Sequence, residues 1–114
     1  MVTFTINGKE YKADTSFYVL YEYSKITKID YFDDLVSSLT PDKDGKIKVS
    51  MFMNFSNLIT AGIRAGGADV DVKDVFNAMP LIANTTAVEY FNELLRSWNA
   101  VNEEPEQKKT TDKD

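Results

Sequence analysis

The chain has no cysteine and no histidine in its 114 residues. Without cysteine there is no disulfide, no thiolate metal ligand and no cysteine nucleophile. Without histidine the usual general base near neutral pH, the commonest zinc ligand and the central member of a serine triad are all gone. Long apolar runs are missing too: no stretch approaches the roughly 18 residues needed to cross a bilayer. Residues 1–5, Met-Val-Thr-Phe-Thr, carry no charged lead and no apolar core, so no signal peptide is expected. Positive charge is in deficit, with 13 Lys and Arg against 18 Asp and Glu, a net charge of −5. Nucleic acid and anionic membrane surfaces select for basic patches, so neither is an expected partner. Carboxylate or lysine chemistry survives these exclusions, but the balance favours a cytoplasmic protein that binds another protein. No catalytic, cofactor-binding or metal-ligating residue is expected.

What is present suits one folded domain. Hydrophobic residues make up 43% of the chain, enough for a single core without cross-links or metal. Asn7-Gly8 is the favoured two-residue hairpin turn, because both positions of a type I′ turn need positive φ. Closing the chain there pairs Ile6 with Lys9, Thr5 with Glu10, Phe4 with Tyr11, Thr3 with Lys12 and Val2 with Ala13. Val2, Phe4, Ile6, Tyr11 and Ala13 then share one face, and Thr3, Thr5, Glu10 and Lys12 the other. A lone hairpin is marginal in water, so its apolar face must be covered. The next segment is the expected cover: Asp14, Thr15 and Ser16 offer N-cap side chains, and residues 17–27 read as a helix presenting Phe17, Leu20, Tyr21 and Ser24.

Further helices follow from the same spacing rules. A short one is expected after Asp30 as cap, with Phe32, Leu35, Val36 and Leu39 in its stripe. Residues 40–45 form a loop by composition, and Ile47-Lys48-Val49 suggests a short extended piece. Residues 50–65 read as a long helix striped by Phe52, Phe55, Leu58, Ile59, Gly62 and Ile63, and ended by Gly66-Gly67. Asp71 caps another carrying Val72, Val75, Phe76 and Met79, which Pro80 interrupts. A last helix, residues 82–101, places Ala87, Phe91, Leu94, Leu95 and Trp98 on one side. Residues 102–114 lack aliphatic and aromatic side chains and read as a disordered charged tail. The expected fold is therefore α+β and mainly helical. One globular domain spans 1–101, its N-terminal β-hairpin (1–13) packed on a helical body (14–101) of four to five helices.

Several motifs lose their functional reading on inspection. Asp42-Lys43-Asp44-Gly45 resembles part of a calcium loop, yet the register that sets Gly45 at position 6 puts Met51 where the bidentate acid belongs. It reads as a turn. The groups Asp30, Asp33, Asp34 and Asp69, Asp71, Asp74 sit at helix starts, where acids complement the helix dipole without any ligand. Gly62-x-x-x-Gly66 is followed by no Lys-Ser or Lys-Thr, so it is no phosphate loop; close packing of the Ala61-Gly62 and Ala65-Gly66 side is expected.

The aromatic surplus points to partners. Tyr18, Tyr21 and Tyr23 advance by about 300° and 200° around one helix, so they do not all face the same side. Tyr31 stands close by, and tyrosine suits interfaces because it joins apolar area to a polar tip. Met51, Phe52 and Met53, with Phe55, encircle the start of the long helix: it is buried all round, or one side meets another chain. These eight residues are the candidate protein interface.

The run Phe4-Thr5-Ile6-Asn7-Gly8-Lys9-Glu10-Tyr11-Lys12, followed by a Tyr-rich helix and a helical body, resembles the tail assembly chaperones of long-tailed bacteriophages. Asp69-Val70-Asp71-Val72-Lys73-Asp74-Val75-Phe76 and Tyr90-Phe91-Asn92-Glu93-Leu94-Leu95 add to the likeness, which is one of layout over residues 1–101. The resemblance implies a non-enzymatic role in the host cell cytoplasm. It implies binding of the helical, aggregation-prone tape measure protein while tail tube protein polymerises around it, absence from the finished virion, and self-association, for which residues 51–55 are the first candidate. Many such chaperones also have a longer form made by ribosomal frameshifting; Gln107-Lys108-Lys109 is compatible with a slippery A-rich stretch, but a plain lysine pair in a solvated tail is the preferred reading. Alternatives of other classes are a head–tail connector or tail terminator retained in the particle, and a small host-directed regulator or carboxylate enzyme.

Overall fold

A computed structural model of the chain describes residues 2–40, 43–83 and 85–103. Strands β1 (Val2–Ile6) and β2 (Lys9–Ala13) pair antiparallel in the expected register, from Val2 opposite Ala13 to Ile6 opposite Lys9. Asn7 and Gly8 both have positive φ, 55° and 77°, as the two-residue turn requires. Among the described residues five helices follow: α1 (Tyr18–Thr27), α2 (Phe32–Ser38), α3 (Val49–Ala65), α4 (Val72–Ile82) and α5 (Thr86–Glu103). The fold is α+β and mainly helical.

Helix α3 is the centre of the molecule. It packs against α1 and α4 and lies on β2, while α4 and α5 reach β1. The cover of the hairpin is thus supplied by α3, α4 and α5, which corrects the expectation that the first helix would supply it. The reason is the face α1 uses. Val19, Leu20 and Tyr23 are its buried residues, whereas Phe17 and Tyr21 are exposed. The stripe 19, 20, 23 is as helical as the stripe 17, 20, 21, and the neighbour α3 selects it.

From Leu58 to Ile63 every residue of α3 is buried. Two hydroxyls survive there because helical carbonyls take them: Ser56 Oγ donates to Phe52 O and Thr60 Oγ1 to Ser56 O, each at 2.8 Å. Gly62 and Gly66 allow the close approach expected of them. A Cβ on Gly62 would overlap the Tyr90 hydroxyl, and one on Gly66 would stand 2.9 Å from the Lys12 carbonyl oxygen. The helix closes with Gly67 at φ 101°, Gly67 N–H bonded to Arg64 O and Ala68 N–H to Ile63 O, a Schellman ending.

Local endings differ from expectation in five places. Asp14 spends its carboxylate on Thr15 N–H (2.9 Å) and Ser16 Oγ (2.6 Å), so α1 starts after Phe17 with no side-chain cap. Tyr31, not Asp30, is the N-cap of α2; its carbonyl accepts from Asp34 N and Leu35 N, while Asp33 and Asp34 sit in the positive first turn. Of the expected extended piece Ile47-Lys48-Val49, Val49 opens α3, Lys48 is the extended residue before it, and among the described residues neither Ile47 nor Lys48 belongs to a strand. Pro80 lies inside α4 instead of ending it. Its missing N–H costs one bond to Phe76 O, yet buried Met79 and Ile82 on either side keep the helix docked. Ile82 therefore ends α4, and α5 begins at Thr86 and runs to Glu103, two residues into the expected tail. Residues 104–114, including the Gln107-Lys108-Lys109 run, lie outside the described residues. Asp71 behaves as expected, accepting from Lys73 N at 2.9 Å as the cap of α4.

Candidate binding groove

The eight candidate interface residues divide into three groups. Tyr18, Tyr21 and Tyr31 stand on the surface, the first two with ring centroids 5.6 Å apart, and Lys25 lies over the Tyr21 ring. Tyr23 belongs to the core, which corrects its place among the interface residues: it is fully buried, and its hydroxyl meets Ser38 Oγ at 2.8 Å. Burial holds the Tyr23 phenol above its ordinary pKa, the Ser38 hydrogen bond acting weakly the other way. Met51 is likewise buried, and Met53 is exposed on the opposite side of the helix start.

Phe52 and Phe55 lie between these extremes and mark the site of most interest. Both are half-buried on the first two turns of α3. Phe52, Met79 and Ala83 line two adjoining cavities, of about 400 and 250 Å³. Phe76, Asn77 and Pro80 of α4 complete the first; Ile47, Phe55, Ala87, Val88 and Phe91 complete the second. Together they form an open apolar groove between the start of α3, the end of α4 and the start of α5. Two of its lining residues, Phe55 and Phe91, meet edge-on with centroids 5.7 Å apart. Among the described residues lining it, Asn77 is the one polar side chain, and no acid or base is present.

Phe52, Phe55, Phe76, Met79, Ala87 and Phe91 lie on the expected helical stripes, whereas Ile47, Asn77, Pro80, Ala83 and Val88 do not. Ile47 and Val88 are exposed apolar residues off the helical stripes, and Pro80 reads as a helix breaker. The one available signal was apolar residues left over once each stripe had been assigned. The acidic groups find ordinary work: Asp69 takes Arg64 Nε at 2.8 Å and its own neighbour Val70 N–H at 2.9 Å, and Asp71 caps α4. Among the described residues no group of three acids is placed to hold a metal ion, and no helix is long and apolar enough to cross a membrane. No family model, no curated protein and no solved structure matches this chain.

Proposed function

We propose that this protein is a non-catalytic assembly factor, a phage tail assembly chaperone that shields apolar helices of the tape measure protein while tail tube subunits polymerise. The uncharged groove between α3, α4 and α5 carries the reading. An amphipathic helix presents apolar residues at i, i+3, i+4 and i+7, and a helix laid in such a groove buries that stripe against Phe52, Met79 and Phe91. Phe and Met side chains suit a client of variable sequence, since methionine in particular adapts its shape. The layout resemblance supplies the client's identity. The net charge of −5 keeps a complex with an apolar client dispersed.

Co-expression of the tagged chain with the products of its neighbouring genes tests this reading. Capture of a very long helical protein, lost on Val88→Glu, is the expected result; Val88 is half-exposed, so the charge is tolerated by the fold. Recovery of capsid or connector proteins instead, or a stoichiometric band of this chain in purified virions, would favour a component retained in the particle.

A further inference from the structure

The two edges of the hairpin are not alike. A two-residue turn makes Ile6 and Lys9 a hydrogen-bonded pair, and bonded and non-bonded pairs alternate along an antiparallel ladder. In the observed register Phe4–Tyr11 and Val2–Ala13 are therefore bonded, while Thr3, Thr5, Glu10 and Lys12 turn their N–H and C=O groups away from the ladder. On the β2 side α3 lies along that edge. A Cβ on Gly66 would stand 2.9 Å from the Lys12 carbonyl oxygen, and Asp14 N–H, just past β2, donates to Gly62 O. The β1 side has no such cover. Among the described residues no hydrogen bond reaches the outward groups of Thr3 or Thr5, and both residues are exposed. Strand β1 meets α5 through its buried face, where Phe4 packs on Tyr90.

An exposed strand edge is a template for pairing, and folded proteins guard such edges with charge, proline or a bulge. Strand β1 has none of these: Val2–Ile6 contains no charged residue and no proline, and its register is unbroken. It presents the N–H and C=O groups of Thr3 and Thr5, spaced by about 7 Å along the strand. That spacing matches an extended backbone and not a helix, whose own N–H and C=O groups are already bonded to one another. We infer that β1 is a docking edge, at which an extended segment of another protein adds as a third strand. The edge also sets the chemistry of that segment. Beside an uncharged strand with Thr3 and Thr5 on one face, uncharged β-branched residues pair best. A second copy of this chain is the poorer occupant, because each copy carries a net charge of −5 and the two repel. The edge shares no residue with the groove, so this contact stands whether or not the groove holds a helix.

Amide hydrogen exchange of the full chain, read residue by residue by NMR, tests it. In the protein alone, Thr3 and Thr5 should exchange about a hundredfold faster than Phe4 and Ile6, whose N–H groups lie in the ladder. A synthetic peptide of alternating Thr and Val, with Lys at each end for solubility, should slow Thr3 and Thr5 by about tenfold or more. The same peptide methylated on every amide nitrogen keeps its charge but offers no donor, and should not bind. Thr5→Pro removes an N–H that the ladder does not use, so it should keep the fold and weaken the peptide by about tenfold. If that variant fails to fold, the methylated peptide decides the matter on the wild type. Val88→Glu should leave peptide binding intact, which separates this edge from the groove. Slow exchange of Thr3 and Thr5 in the protein alone, a peptide that leaves them unprotected, or equal binding of the methylated peptide would overturn the inference. So would protection that rises with the concentration of the chain by itself, since a second copy would then hold the edge.

Discussion

The Tyr90 hydroxyl donates to the Asp14 carbonyl at 2.6 Å, joining the start of α5 to the residue that leaves the hairpin, 76 positions away in sequence. The same peptide segment is held from the other side, since Asp14 N–H donates to Gly62 O at 2.9 Å. Tyr90 also packs edge-on against Phe4, centroids 5.4 Å apart. One tyrosine thus fastens hairpin, α3 and α5 together, and it can do so only because position 62 has no side chain.

Gly62→Ala should therefore destabilise strongly, although alanine is the better helix former by about 1 kcal/mol. The added methyl overlaps the Tyr90 hydroxyl, so the ring must move and its hydrogen bond is lost. A loss of about 3 kcal/mol is expected from overpacking and the broken bond together. Chemical denaturation checks it, and Tyr90→Phe in the same chain should make the Gly62→Ala change less damaging than it is alone. Additive losses would mean that the two positions do not share this contact.

The caps give a contrast between two aspartates that look equivalent in sequence. Asp71→Ala should cost about 1 kcal/mol, because it removes an acceptor for Lys73 N–H. Asp30→Ala should change stability by less than about 0.5 kcal/mol, as for most surface positions, since Tyr31 holds the N-cap place. Thermal melts of the two variants side by side read the difference directly.

Core and surface tyrosines should separate in the same way. Tyr23→Ala empties a fully buried site and should cost about 3–5 kcal/mol or prevent folding. Tyr31→Ser should leave the melting temperature nearly unchanged, because its side chain is mostly in water.

Alkaline pH should unfold the protein through buried phenols. Burial, with the nearby Asp14 charge as a lesser cause, pushes the Tyr90 pKa far above 10, and burial raises that of Tyr23. A raised folded-state value means the unfolded chain loses these protons first. Stability from this source is whole below pH about 10 and falls above it, by about 1.4 kcal/mol per pH unit for each phenol. Denaturation at a series of pH values, followed beside Tyr90→Phe, should show the steeper decline in the wild type. A stability flat from about pH 9 to pH 12 would contradict it.

The parts of the fold that were legible in the sequence are those where two local signals agree. Period-two alternation and Asn7-Gly8 turn chemistry both specify one hairpin register, and that register is observed. Glycine spacing at 62 and 66 announced close packing, and the neighbours are Tyr90 and the Lys12 backbone. The face of α1 was not legible, because Phe17, Leu20 and Tyr21 make as good a stripe as Val19, Leu20 and Tyr23; only the position of α3 decides between them. The groove was legible only through Phe52 and Phe55. Its other walls include Phe76, Met79, Ala87 and Phe91, legible as parts of separate helical stripes but joined into one groove only by the packing of α3, α4 and α5.

Hydrogen exchange of the chain, alone and bound to co-expressed tape measure protein, tests the central claim most directly. The account predicts new amide protection in residues 47–55 and 76–91, the segments that form the groove, with Val88→Glu abolishing both binding and protection. Binding that protects other segments and survives Val88→Glu, or no binding at all, would contradict it.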